Sequence, residues 1–79
     1  MSARTPVVTT SDILVAQIAK AGGQASVQQL ERAMTRWTLP HHFRSAVFFA
    51  EIAGRIERVL LAGGEPGLRL VAREEREAA

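Results

Sequence analysis

The fold is decided by residues 40–54, PHHFRSAVFFAEIAG, and by the segment that follows them at 56–73, IERVLLAGGEPGLRLVAR. The first stretch is the most apolar part of the chain. Pro40 suits the first turn of a helix, where its missing N–H has no intrahelical partner to lose. The stretch therefore predicts a central core helix that ends near Gly54. In the second stretch, two runs of β-forming residues flank a loop rich in Gly and Pro, which predicts a β-hairpin.

Two further helices are predicted before the core helix. The first spans about 12–21, with Ser11 as its cap and the glycines at 22 and 23 as its stop. The link at 24–25 has room for at most a pair of strand residues. Ser26 followed by Gln29 has the spacing of a capping box and predicts the start of the second helix. The positions expected to face the core are Leu14, Ile18 and Ala21 in the first helix and Val27, Leu30, Ala33, Met34 and Trp37 in the second.

This order of elements predicts an α+β fold class, mainly α with a C-terminal β-hairpin. A chain of 79 residues has room for one core only. Its 47% hydrophobic content is sufficient for that core without disulfides. We assign 1–10 to a flexible N-terminal arm, 11–73 to the domain and 74–79 to a charged tail.

The composition disfavours membrane and secreted proteins. No apolar run approaches the roughly 18 residues that span a bilayer, and the N-terminus lacks the pattern of a signal peptide. With no Cys in the chain, disulfides, thiolate zinc sites and cysteine nucleophiles are excluded. A soluble cytoplasmic protein without membrane contact is expected.

The sequence also offers no set of residues typical of a catalytic or metal site. His41 and His42 diverge by about 100° on a helix, which argues against a metal pair. The loop at 63–67 joins two strands instead of opening a helix, so it is interpreted as a turn and not as a phosphate cradle. We therefore expect a protein that works by binding, with no enzymatic activity, cofactor or metal.

Three segments resemble the winged helix-turn-helix family, and the resemblance covers about 11–73. They are SVQQL at 26–30, the apolar Phe43, Val47 and Ala50 of the core helix, and GRIERV at 54–59 leading through the Gly-rich tip into LRLV at 68–71. The resemblance implies binding to double-stranded DNA, with the third helix in the major groove and the hairpin wing on the flanking backbone or minor groove.

A helical wheel divides the core helix into two sides. The buried side is expected to hold Phe43, Ala46, Val47, Phe49, Ala50 and Ala53. The opposite side presents His41, Arg44, Phe48, Glu51 and Arg55, with Ser45 and Ile52 at one border. From this side the candidate DNA contacts are His41, Arg44, Ser45 and Arg55.

Arginines on the hairpin are the second set of candidates. Arg69 and Arg73 share a strand face and Arg58 lies on the partner strand, so the three are expected to line one side of the wing and contact phosphates. Alternatively, these charges protect exposed sheet edges from aggregation. Arg32, Arg36 and Arg4 are further candidates for phosphate contact. Because the net charge is only +2, the positions of the arginines, and not their number, must show which of them contact DNA.

Phe48 and Ile52 favour a rival function. An exposed phenyl group prefers an apolar partner, and the neighbouring Glu51 repels phosphate. The leading hypothesis is a small transcription regulator or repressor that binds duplex DNA as a homodimer. The rival is a winged-helix module that docks a protein through Phe48 and Ile52, and a third hypothesis is a subunit of a nucleoprotein complex.

Overall fold

The computed structural model describes residues 9–71. In chain order its elements are α1 (Thr10–Lys20), β1 (Gln24–Ser26), α2 (Val27–Met34), α3 (Pro40–Ile52), β2 (Ile56–Leu60) and β3 (Pro66–Leu70). A single 3₁₀ turn at Ala62–Gly64 forms the tip between β2 and β3. The predicted α+β class, the three helices and the C-terminal hairpin are confirmed.

The start of α1 differs from the prediction by two residues. Thr9, and not Ser11, is the cap: its hydroxyl accepts from the Asp12 backbone N–H at 3.1 Å, and the Asp12 carboxylate accepts from the Thr9 N–H at 2.9 Å. Ser11 instead donates its hydroxyl to the backbone oxygen of Ala46 at 3.1 Å. The side chain expected to begin α1 therefore attaches α1 to α3.

Two glycines with positive φ end α1 as predicted and lead the chain into the sheet. Gly22 and Gly23 have φ of 98° and 102°, a left-handed conformation that costs Gly little. The Gly23 N–H donates to the Ile18 oxygen, and the Gly23 oxygen accepts from the Leu70 N–H, both at 2.9 Å. Strand β1 then starts at once, one residue longer than the predicted pair.

Helix α2 begins where the sequence predicts, because the Ser26 hydroxyl accepts from the Gln29 N–H at 3.0 Å. Leu30 and Met34 are buried on its inner face. The helix ends at Met34, so the helical spacing does not continue to Trp37, whose side chain is 56% exposed. The prediction that Trp37 faces the core is wrong.

Helix α3 has Pro40 in its first turn and is the central helix, as predicted. Its buried face is narrower than the wheel suggests and consists of Phe43, Ala46, Val47 and Ala50. Phe49 is 60% exposed and Ala53 is also exposed, so both predicted core positions are wrong. Phe49 lies at the margin of the contact with α1, in a shallow groove that the start of α1 also lines.

The three strands form one antiparallel sheet in the order β1-β3-β2. Leu68 and Leu70 of β3 point to the core, with Ala25 and Ile56 beside them in register on the two outer strands. The buried core joins all three helices to this sheet. Within residues 9–71, no helix is long and apolar enough to cross a membrane.

Candidate nucleic-acid interface

The solvent side of α3 divides into a polar and an apolar half. His41, Arg44 and Ser45 lie in the first half of the helix and are all exposed. Phe48 and Ile52 lie in the second half and are 55% and 66% exposed. At 1.5 Å per residue this surface is about 20 Å long, so the two halves can contact different chemical groups of one partner.

Arg44 is the cation on α3 best placed to contact a ligand. It is exposed and, among the residues that the structure describes, it makes no ion pair. Arg32 on α2 and Arg36 in the turn between α2 and α3 are also exposed and make no ion pair among the described residues. We call Arg32, Arg36 and Arg44 the helix-turn-helix (HTH) arginines. Arg36 lines one shallow groove with His42, which places it beside the first turn of α3.

Arg55 has a different position from the one predicted. Helix α3 ends at Ile52 with Ala53 as its C-cap, so Arg55 lies beyond it. Its Nη1 donates to Asp12 Oδ1 at 2.8 Å, and only 28% of its side chain is exposed. The Thr9 backbone N–H, and then Arg55, hold the pKa of Asp12 below its ordinary value. Contact between Arg55 and DNA stays a prediction, and it competes with this ion pair.

Arg58 neutralises the acidic residue that argued against DNA. Its Nε donates to the two carboxylate oxygens of Glu51 at 3.2 and 3.0 Å. The pair spans from β2 to the solvent side of α3. Glu51, two helical turns after Arg44 on α3, is therefore not an uncompensated charge, and its repulsion of phosphate is reduced.

The two wing arginines that the structure describes, Arg58 and Arg69, do not share a face of the sheet as predicted. Arg69 pairs with Glu57 across the strands, whereas Arg58 pairs with Leu68, so the two arginines point to opposite faces of the sheet. Arg69 Nε donates to Glu57 Oε1 at 2.8 Å, and its Nη2 contacts the same oxygen. Arg73 and Arg4 lie outside the described residues. Each described wing arginine thus already has an acidic partner.

Exposed aromatic and aliphatic groups make up the second half of the α3 surface. Phe48 and Phe49 pack edge to face with ring centroids 5.7 Å apart, and Ile52 follows one turn after Phe48. We call Phe48, Phe49 and Ile52 the α3 apolar patch. All three are more than half exposed, an arrangement that indicates a contact surface.

His41 and His42 lie side by side in the first turn of α3. The rings of His41 and His42 are 4.1 Å apart and tilted by 60°. Across residues 9–71, no group of three or more His, Asp or Glu side chains is arranged to hold a metal ion.

The sequence reasoning missed three acidic partners of arginines, which are Asp12, Glu51 and Glu57. Glu57 and Arg69 lie equally far from Gly63, the centre of the hairpin, so counting outward from the tip pairs them. Glu51 and Arg58 are separated by the end of α3 and the turn into β2. No local sequence pattern indicates that pair.

Comparison with known proteins supports the fold. The chain is similar to the crystal structure of SSV1 F-93, with a TM-score of 0.75 and 19% sequence identity over 96% of this chain and 84% of that one. No protein-family model matches the sequence, and no curated protein matches it. At this identity the similarity shows the fold and not the function. The chain has a winged-helix fold, with three helices and an antiparallel sheet whose β2–β3 hairpin is the wing.

Proposed function

We propose that this winged-helix chain binds double-stranded DNA and acts as a small transcription regulator of the repressor type. The observation that carries the proposal is the distribution of unpaired charge. The HTH arginines make no ion pair within residues 9–71, whereas Arg55, Arg58 and Arg69 each have an acidic partner. Three of the four described cations without an ion pair therefore lie on the helix-turn-helix, where Glu31 is the one acidic residue without an ion pair in this range, and the fourth cation, Lys20, lies on α1.

In this arrangement the first half of α3 lies in the major groove. Arg44 is suited to contact guanine, and His41 and Ser45 lie beside it on the exposed face. Arg32 and Arg36 contact the backbone phosphates and set the orientation of the helix. The wing contributes less, because an acidic partner offsets the charge of each described wing arginine, Arg58 and Arg69.

The chain works by binding, without catalysis or a cofactor, and it does so as a homodimer. One module of this size covers a small area of DNA, and specific affinity is typically reached with two half-sites. Analytical ultracentrifugation with and without duplex tests this part. A complex with one chain per duplex at saturation would exclude the homodimer.

The first test is fluorescence anisotropy of the chain with a labelled random-sequence duplex at several salt concentrations. Binding through phosphates makes log K fall linearly with log salt, with a slope of about −0.9 for each phosphate neutralised. Salt-dependent binding supports the proposal and justifies selecting a target sequence from the random pool. No binding at low salt would overturn it.

The second test compares two variants on one duplex that carries a selected target sequence. Arg44→Ala removes an unpaired arginine, and we expect affinity to fall roughly 5- to 100-fold on a selected target. The double variant Glu57→Gln/Arg69→Gln removes a wing ion pair without changing net charge, and we expect little effect. A weaker affinity in the second variant but not in the first would move the interface to the wing.

The exposed α3 apolar patch favours a second candidate, a winged-helix module that docks a protein or a nucleoprotein complex. This function requires Phe48 and Ile52 to bind a protein surface. A folded Phe48→Ala variant that keeps its DNA affinity and loses a partner or its dimer would favour this candidate.

A further inference from the structure

The α3 apolar patch adjoins the polar surface proposed to enter the major groove. Phe48 follows Arg44 by one helical turn, and both side chains are exposed on the solvent side of α3. A group that contacts Arg44 therefore has Phe48 as its neighbour. The patch needs an occupant that is apolar and that also tolerates the positive charge beside it.

The charges around Phe48 favour DNA over an apolar protein surface. Arg44 makes no ion pair in the described part of the chain, and Glu51 is compensated by Arg58 at 3.0 Å. The surroundings of Phe48 therefore attract an anionic partner. Duplex DNA is anionic along its backbone and presents one apolar group in the major groove, the C5-methyl group of thymine.

We propose that Phe48 is a specificity-determining residue that contacts the C5-methyl group of thymine. The proposal rests on the proposed DNA binding and extends it to a base preference. Residues four apart on a helix are separated by about 6 Å along its axis, which is close to two base-pair steps of about 3.4 Å. The thymine therefore lies within about two steps of the base that Arg44 contacts.

Phe49 provides a matched control for Phe48. The two residues carry the same side chain and are similarly exposed, at 60% and 55%. They point about 100° apart around the helix, and Phe49 lies in the groove beside the start of α1. Replacing either ring removes the same apolar group, but only Phe48 lies on the same side as Arg44.

The experiment compares two synthetic duplexes, one with alternating dG and dT in one strand and alternating dA and dC in the other, and one in which every dT is replaced by dU. The exchange removes the methyl group and keeps the hydrogen-bonding edges of the base. Burial of one methyl group predicts that the wild-type chain binds the dT duplex about fourfold more tightly. Phe48→Ala is expected to bind the two duplexes equally, and Phe49→Ala to keep the preference.

The outcomes separate this inference from the function on which it rests. Equal binding of both duplexes by the wild type, with a steep salt dependence, overturns the thymine contact and leaves DNA binding in place. No binding to either duplex at low salt overturns both the thymine contact and the proposed DNA binding. If Phe49→Ala abolishes the preference and Phe48→Ala keeps it, Phe49 makes the contact and the assignment to Phe48 is overturned. A lower oligomeric mass for Phe48→Ala together with equal wild-type binding shows a protein interface and also overturns it.

Discussion

At the scale of single residues, Asp12 connects the start of α1 to the segment after α3. Its carboxylate accepts from the Thr9 N–H and from Arg55, and both interactions favour the charged form. The pKa of Asp12 in the folded chain is therefore below its ordinary value of 3.8. A depressed pKa contributes stability above that ordinary value, and this stability is lost as the pH falls through the folded pKa.

We therefore predict that unfolding becomes easier below about pH 4, and that Asp12→Asn removes this part of the acid dependence. The cost at neutral pH is about 0.2–1 kcal/mol, because 39% of the Asp12 side chain is exposed and solvent screens the ion pair. Urea unfolding between about pH 7 and pH 3 measures both effects. Glu65→Gln is the control, since Glu65 is exposed and has no ion pair among the described residues. An unchanged acid dependence in Asp12→Asn would contradict the assignment.

Gly67 is required by close packing in the wing. A Cβ at this position would lie 2.7 Å from Leu61 Cγ and 3.0 Å from the backbone oxygen of Ala25. Gly67→Ala is expected to cost about 1–3 kcal/mol of unfolding free energy, the usual range for overpacking. Part of this cost should disappear in a Leu61→Ala background, and a double-mutant cycle by urea unfolding measures it. A cycle without coupling would show that Leu61 does not obstruct the added methyl group.

At the scale of elements, Ser26 ends β1 and caps α2. Its hydroxyl accepts from the Gln29 N–H at 3.0 Å, and the residue is 8% exposed. We predict that Ser26→Ala lowers the unfolding free energy by about 1 kcal/mol, as is usual when an N-cap is removed. Ser45→Ala, at an exposed position inside α3, should change it far less. If urea unfolding gives the same free energy of unfolding for the two variants, the Ser26 cap does not stabilise α2.

Elements that depend on local signals are predictable from the sequence. Pro40 and the Ser26 cap mark the starts of α3 and α2, and the Gly-rich tip marks the hairpin. Strand β1 is harder to predict because it has three residues and no periodicity of its own. It exists through pairing with β3, as in Gln24 opposite Arg69, and such long-range pairing cannot be deduced from the three residues alone.

The errors in the candidate site arise from geometry that sequence spacing does not contain. Trp37 is exposed because α2 ends at Met34, and the helical period that predicts its burial does not extend that far. Arg58 and Arg69 lie on opposite faces because the register of β2 on β3, which alternation alone does not give, sets their directions. The exposed positions of Arg44 and Phe48 are predicted correctly, because they lie within α3, where the period holds.

At the scale of the whole molecule, the position of unpaired charge matters more than the net charge of +2. Three ion pairs connect the segments around the wing, and they join Arg55 to Asp12, Arg58 to Glu51 and Arg69 to Glu57. The HTH arginines are exposed and have no such partner among the described residues. A weakly charged chain can therefore present a locally cationic surface, and its affinity for DNA should depend on that surface.

This distribution of charge predicts that affinity and salt dependence can be changed separately. Arg32→Gln/Arg36→Gln should reduce the slope of log K against log salt by about 0.9 for each phosphate that is no longer neutralised. Phe48→Ala should weaken binding to the dT duplex and leave the slope unchanged, because burial of a methyl group releases no counterions. Glu57→Gln/Arg69→Gln should change neither. Anisotropy titrations over a series of salt concentrations give all three results, and a lower slope for Phe48→Ala would mean that this ring acts by positioning the arginines instead of by contacting a base.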